Sequence, residues 1–465
     1  LNILKRLYQA FDDRVGISDT LMPLAKHPVP PGTGWGYVFG SATLFAFILQ
    51  VVTGIALATM YIPSTEHAYN SIAFITNEAV LGNLLRGIHY FGASAMVVSV
   101  GAHMIRVFLT GSYKFPREVN WLSGTFLLLF TIAMAFTGQL LRWDQNAFWT
   151  VVVGAEQAGR APFIGDFLAQ FILAGSTVGG ATLTRFFSFH VFFIPALIFA
   201  IFGLHIFLVV RHGVSEPPKA GQLVDVKTYR SWYQALLDRE GIPFWPDVAW
   251  RDAVFSVAMI LVVVLLALIF GPLPLGKPPD PTIIQANPRP DWYLLWYFAV
   301  LALIPPATEN YVIIGAPLLA GIVLLALPFF FNRGERSPVR RPWAFGIVIS
   351  VVVMIGTLTV IGQQSPWSPD FSAQPLPESV IGASSGPIYE GAQLFHKKGC
   401  EYCHNIAGYG GHRGPDLTYV GDLLTRQEMT IRILNGGNLM PAFASNITPE
   451  ELTLILDFLQ SRKAP

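Results

Sequence analysis

RGIHYFGASAMVVSVGAHMIR, residues 86–106, decides how the rest of the chain is read. Residues 87–105, between its two terminal arginines, contain no Asp, Glu, Lys or Arg. A helix of about 20 such residues, rising about 1.5 Å each, crosses the roughly 30 Å of hydrocarbon in a bilayer. The stretch nevertheless holds two histidines, His89 and His103, fourteen positions apart. Ionisable groups inside a membrane segment are costly and usually functional. At about 100° per residue, fourteen residues end within about 40° of a whole number of turns, so both imidazoles share one helix face about 21 Å apart along the axis.

Charge-free intervals of similar length recur at 35–61, 119–141, 186–210, 253–276, 310–332 and 342–365, so the sequence predicts an all-α, seven-helix transmembrane bundle. Charged residues make up 13% of the 465 positions, against roughly 25% in soluble globular domains. The net charge of +1, with no basic stripe outside the loops, excludes nucleic acid as the expected partner. Only two cysteines are present, which rules out a disulfide framework. The first thirty residues carry Lys5, Arg6, Arg14 and Lys26 and no long apolar core, so insertion is expected to rely on the helices themselves. Trp292–Ile304 is too short to span and stops at Pro305-Pro306, which suggests a half-helix. Phe163–Gly180, apolar on one side and glycine-rich, is expected to lie along the interface.

Lys and Arg in the connections orient the bundle. The N-terminus, the second loop, residues 211–252 and residues 332–343 together hold sixteen. The opposite side shows Arg142, Arg160, Arg185, Lys277 and Arg289. The N-terminus is therefore expected in the cytoplasm, and seven crossings place everything beyond Gly362 on the periplasmic side.

The fourth span also holds two histidines, His190 and His205, fifteen apart. The second and fourth spans run in the same direction, so His89 pairs with His190 near one surface and His103 with His205 near the other. Two bis-histidine metal centres, one per leaflet, are the natural expectation. Gly40 and Gly54 in the first span and Gly124 and Gly138 in the third are again fourteen apart. Glycines let a backbone or macrocycle approach closely. Any one of these residues alone is explained by helix packing; eight at matched spacing favour two stacked haems. Arg86 and Arg106, three residues outside His89 and His103, stand at opposite helix ends where haem propionates would emerge, and Arg185 precedes His190 in a similar way.

Residues 363–385, rich in Pro and Ser, read as a linker, and 386–465 as a small, polar, helical domain. Within it GCEYCH (399–404) has the CxxCH pattern: Cys400 and Cys403 for thioether bonds to haem vinyls and His404 as the adjacent ligand. A zinc site would need further paired ligands, and His396 and His412 do not supply them.

The residues then match a known family. LRGIHYFGAS, HMIRVFLTGSYKFPREVNW, GQLLRWDQNAFW (138–149), ATLTRFFSFH (181–190) and PDWY (290–293) resemble cytochrome b of the quinol-oxidising cytochrome bc complexes over roughly residues 1–362. The fifteen-residue spacing and seven spans resemble the chloroplast-type branch, usually split into a four-helix and a three-helix chain. Here both halves look fused: a four-helix dihaem domain (1–215), a three-helix part (216–362), the linker (363–385) and a domain (386–465) resembling a class I cytochrome c, with Gly414-Pro415-Asp416-Leu417 and Asn438-Leu439-Met440-Pro441. The resemblance makes Met440 the sixth ligand of the c haem, a Met/His pair that raises the reduction potential. Three departures stand out. Gly36-Tyr37-Val38-Phe39-Gly40 lacks the cysteine that anchors an extra covalent haem, the PEWY motif has become Pro290-Asp291-Trp292-Tyr293, and Arg142 stands where proline is usual.

The resemblance implies a proton-translocating quinol:cytochrome c oxidoreductase in a bacterial inner membrane, with two non-covalent b haems and one covalent c haem. Quinol is oxidised on the periplasmic side, one electron passing through a Rieske iron-sulfur protein and the other crossing to reduce quinone. Both cysteines are committed to haem attachment, so the Rieske protein must be a separate subunit. Other complex subunits, a periplasmic cytochrome c or other acceptor, and a homodimer are implied as well. The outer quinone site is expected at Asp291 and Tyr293, walled by Phe148 and Pro290, and the inner one at Asp252 and Arg251, with His212 a further candidate. Two rival readings are a quinone-linked electron-transfer module working without a Rieske protein, and an anchor for a tethered cytochrome c, which predicts no b haem.

Overall fold

The structure, a computed structural model, describes every residue except Leu1, 281–287, Pro305, 366–368, 437–439, Pro441, Ser445 and Pro465. Two compact units are present: Leu1–Asp280 with Asn310–Ile355, and Pro281–Glu309 with Gly356–Pro465.

Among the described residues seven helices are long and apolar enough to cross a membrane: Phe39–Ala58, Gly82–Leu109, Glu118–Leu140, Gly180–His212, Ala249–Phe270, Asn310–Phe330 and Pro342–Gln364, here spans one to seven. The all-α bundle expected from the charge-free intervals is therefore present, with shifted ends. Span two reaches past both Arg86 and Arg106, because helix ends are set by the backbone rather than by the nearest charge. It begins after Leu81, whose φ of 58° is left-handed, and ends at Thr110. Span five stops at Phe270, where Gly271 turns to a φ of 68° ahead of Pro272, although the apolar run continues to 276. Residues 163–180 form a nine-residue helix, Gly165–Leu173, closed by left-handed Ala174. Phe163 and Phe167 on this segment are exposed.

Span one packs on span two, three on four, and five on both one and two. In lipid such contacts rely on close packing rather than on hydrophobic exclusion. Gly87 illustrates this: a Cβ there would lie 3.0 Å from the Cβ of Ala267 on span five. Between spans one to four, Ala46, Phe47, Met96, Ile194 and Ile198 form a buried core.

The connections are held by polar contacts. At one end, Asp144 caps the helix Gln145–Gly159 by accepting from Ala147 N (2.8 Å) and also accepts from Gly276 N (3.1 Å). Gln145 exchanges two hydrogen bonds with the backbone of Asp280. At the other end, Arg336 forms a buried ion pair with Glu216, which also accepts from Tyr229 Oη (2.7 Å). Two short strand pairs, Pro28–Val29 with Ile242–Pro243 and Leu223–Val224 with Gly334–Glu335, stitch the same face.

The second unit contains the helix Trp292–Leu303 and a small helical domain. There the helices Pro387–Lys397, Arg426–Asn435 and Pro449–Gln460 surround Phe395, Ile406, Met429, Ile455 and Phe458. Gly391 allows the first and last of these to touch, since a Cβ on it would lie 2.1 Å from the carbonyl oxygen of Leu454. Thr425 with Glu428 and Thr448 with Glu451 form capping boxes at two helix starts. Residues 363–385, expected to be a linker, are only partly one. Asp370 N donates to Tyr402 O (2.7 Å), and Leu376 and Ile381 are buried in the core of this domain. The prolines and serines of the stretch obscured these two apolar anchors.

Candidate functional site

Three of the four membrane histidines are held by a repeated local device. Thr53 donates its hydroxyl proton to Leu49 O (2.7 Å), so toward His89 Nδ1, 2.9 Å away, its oxygen must accept. Thr137 donates to Ala133 O (2.8 Å) and lies 3.1 Å from His190 Nδ1. Ser123 donates to Val119 O (3.0 Å) and lies 2.9 Å from His205 Nδ1. In each case the neutral imidazole carries its proton on Nδ1 and leaves the Nε2 lone pair free for a metal.

The glycine that follows each hydroxyl residue faces the same ring. An added Cβ would stand 3.3 Å from His89 Cε1 at Gly54, 2.6 Å from His190 Cε1 at Gly138 and 3.5 Å from His205 Cε1 at Gly124. At Gly40 it would stand 3.2 Å from His103 Cε1. The four glycines thus serve the imidazoles directly, rather than only the edge of a macrocycle.

His89 and His190 face each other with ring centroids 6.3 Å apart. A metal–imidazole nitrogen bond is about 2.0–2.1 Å and each nitrogen sits about 1.1 Å from its centroid, so one metal ion between two imidazoles requires roughly 6 Å. The gap therefore fits a bis-histidine iron. Among the described residues no cluster of three or more His, Cys, Asp or Glu is arranged for a metal. Two protein ligands are what a macrocycle carrying four nitrogens of its own leaves to be filled.

The unequal spacings, fourteen in span two and fifteen in span four, are reconciled by a π-helical turn at Phe189–Phe193, which begins beside His190. Such a turn absorbs one extra residue, so the fifteen-residue interval behaves as fourteen.

The arginines divide. Arg106 packs over Tyr37, 3.5 Å from the ring centroid, and its Nε and Nη2 are buried without a partner, which suits a haem propionate. Arg86 is also buried but donates to Thr76 Oγ1 (3.1 Å) and Leu273 O (2.8 Å). Arg185 bonds Phe171 O and packs over that ring.

In the second unit, Cys400 and Cys403 are free thiols. Burial pushes the Cys400 thiol up to about 12 and raises that of Cys403. His404 donates Nδ1–H to Pro415 O (2.9 Å), and burial holds its pKa below the usual value. Gly414 lies flat against it, with an added Cβ 2.6 Å from Cε1, the arrangement already seen at Gly138. Met440 packs against the domain core; its neighbours 438, 439 and Pro441 lie outside the described residues.

The quinone-site candidates are more scattered. Tyr293 is buried and donates its hydroxyl to Asp291 Oδ2 (2.7 Å), and Asp291 stands at the N-cap of the helix Trp292–Leu303, directly after Pro290. Phe148, in the other unit, is buried against Trp143 and Trp149. Arg251 donates to Thr33 O (3.2 Å) and packs over Trp250, while Asp252 bonds Ser41. His212 meets Asn120 Oδ1 (3.0 Å) and lines an open cleft of about 530 Å³ with His27, Arg211, Arg230 and Tyr233. Asp252 and Arg251 are not among the residues lining that cleft.

Sequence reasoning passed over Thr53, Ser123 and Thr137. Each directly precedes its glycine, so a repeated hydroxyl–glycine pair was the available signal.

Comparison with known proteins agrees with this architecture. A family described as cytochrome b/b6/petB matches residues 24–213, and one described as cytochrome b(C-terminal)/b6/petD matches 278–375. A third, described as cytochrome c oxidase, cbb3-type, subunit III, matches 386–459. The menaquinol:cytochrome c reductase cytochrome b subunit of Bacillus subtilis is 36% identical over 224 residues, covering 46% of this chain and 100% of that protein. The cytochrome bc complex cytochrome b subunit of Chlorobaculum thiosulfatiphilum is 31% identical over 375 residues, covering 76% and 81%. A solved hyperthermophilic respiratory Complex III chain superposes with a TM-score of 0.66 at 27% identity, covering 76% of this chain and 91% of that one. The chain belongs to the cytochrome b family: it is a multi-pass membrane subunit of a quinol:cytochrome c reductase-type bc complex, with haem cofactors and a C-terminal c-type cytochrome domain of its own.

Proposed function

We propose that this chain holds two non-covalent b-type haems, one between His89 and His190 and one between His103 and His205. A covalent c-type haem joins Cys400 and Cys403, with His404 and Met440 as axial ligands. The observation that carries this reading is the four imidazoles, each seated on its own glycine, three of them with Nδ1 occupied and Nε2 free. Residues 1–215 form the dihaem domain, 216–362 the three-helix domain and 386–465 the c domain. The N-terminus lies in the cytoplasm and the c domain in the periplasm of a bacterial inner membrane, as the sixteen basic residues of the cytoplasmic connections favour.

When bound, the haems supply one-electron chemistry, so that one electron of each quinol crosses the membrane while the other leaves through a separate Rieske protein toward the c haem. The chain's own residues supply proton handling. Asp291 already accepts a hydrogen bond from Tyr293, which fixes its carboxylate at the start of a helix where negative charge is favoured. The pair, with Pro290 directly before it, is suited to accept quinol protons. Asp252, with Arg251 and His212, serves proton uptake at the inner quinone site. Oxidation outside coupled to reduction inside translocates protons, and the complex works as a homodimer with further subunits.

A pyridine haemochrome spectrum of the purified complex, with quinol added to oxidised samples in the presence and absence of an inner-site inhibitor, tests this. Two b haems per c haem and enhanced b reduction under inhibition are expected. A c haem without any b signal overturns the membrane half of the reading, and a complex that purifies active without an iron-sulfur subunit overturns bifurcation.

A further inference from the structure

Span three ends at Leu140, and Arg142 follows one turn beyond Gly138, the residue against which His190 lies. The side chain of Arg142 is 13% exposed and its Nε is buried without a hydrogen-bond partner. Its ion-pair contact is Asp144 Oδ1 at 3.6 Å, longer than a hydrogen bond. Asp144 is already engaged, with Oδ1 accepting from Ala147 N and Oδ2 from Gly276 N. Arg86, one turn before His89 on span two, is buried as well. Its own Nη atoms donate to the neutral oxygens of Thr76 and Leu273. The buried guanidinium of Arg142 is therefore left without a hydrogen-bonded counter-charge. A charge removed from water without a counter-charge is strongly destabilising unless an anion joins it.

We infer that Arg142 forms a seat for a carboxylate, and that the carboxylate is a side chain of the porphyrin held by His89 and His190. The inference rests on the haem reading above. Both arginines are one helical turn from the elements that grip that macrocycle, at the same end of the bundle, and the free donor is a guanidinium Nε of the kind that pairs with carboxylates. A cation there disfavours the ferric state, which carries one more positive charge than the ferrous, and so raises the reduction potential of the haem at this level.

Redox titration of the two b haems in the intact complex tests the seat. Arg142→Gln is expected to shift the reduction equilibrium of the His89/His190 haem roughly tenfold toward ferric, a fall of about 59 mV for one electron, and to leave the His103/His205 haem in place and unshifted. Arg142→Lys keeps the charge but not the guanidinium fork and is expected to shift it in the same direction by roughly twofold. Both variants titrating like the parent, even with lowered thermal stability, would show that Arg142 only braces Asp144 and would overturn the proposal. Absence of any b haem in the unaltered complex would instead overturn the haem reading beneath it.

Discussion

At the His89 level both imidazoles lean on a threonine, Thr53 and Thr137. At the His103 level only His205 has such a partner, Ser123, and the residue before Gly40 is Phe39, which has no hydroxyl. Tightness differs as well, since Gly138 would bring a Cβ to 2.6 Å from its histidine and Gly124 only to 3.5 Å. A hydroxyl that accepts Nδ1–H fixes the ring and makes the imidazole a stronger donor, which favours ferric iron. On this account the His89 level is the more rigid and, from its ligands, the lower in potential; Arg142 acts in the opposite sense.

The largest expected effect comes from alanine at the closest approach. Gly138→Ala overpacks the His190 ring, at a cost of roughly 1–3 kcal/mol against a helix-propensity gain of about 1 kcal/mol. It is expected to lower the b to c haem ratio from two toward one, read by haemochrome. Gly124→Ala makes only an ordinary contact and should keep both haems; equal losses in the two variants would break the comparison. Next in size, Thr137→Val removes an acceptor contributing about 1 kcal/mol and should raise the His89-level potential by roughly 40 mV for one electron, measured by optical titration. Phe39→Ser offers His103 the missing hydroxyl and should lower the His103-level potential by a smaller amount; no change there would show that the hydroxyls act only in packing. The smallest effect is expected from deletion of Val191, which removes the extra residue of the π turn and leaves a regular fourteen-residue spacing. Both haems should remain in its spectrum.

The spans, the histidine and glycine periods and the CxxCH motif were legible because each imposes a spacing on the sequence. The hydroxyl partners were less so, because Thr and Ser inside membrane helices commonly bond the carbonyl one turn back, as Thr43 does to Phe39 O (2.8 Å), and only the glycine that follows distinguishes the three that also reach a histidine from Thr43. The π turn has no signature either: Phe189–Phe193 contains neither Gly nor Pro, so the fifteen-residue spacing read as a small angular error instead of an inserted residue. The charge-free interval falls short of the helix by five residues at Arg86 and four at Arg106, because these two arginines lie inside Gly82–Leu109. Arg142 drew notice only as a departure from the family pattern; its meaning depends on Asp144 being already engaged with Ala147 and Gly276, a contact set across 132 residues of chain.

The pairing of Pro28–Val29 with Ile242–Pro243, of Leu223–Val224 with Gly334–Glu335, and of Glu216 with Arg336 has a consequence for inheritance. Every one of these contacts bridges residues before Gly241 and residues after it, and Asp238, Arg239 and Glu240 just before that point are exposed. Two polypeptides translated separately on either side of Glu240 would each carry half of every clasp, together with the complementary faces at Gly87 and Ala267. The covalent join is therefore not what brings the halves together, and a gene for this bundle can be divided or fused at that point without any new interface having to be invented.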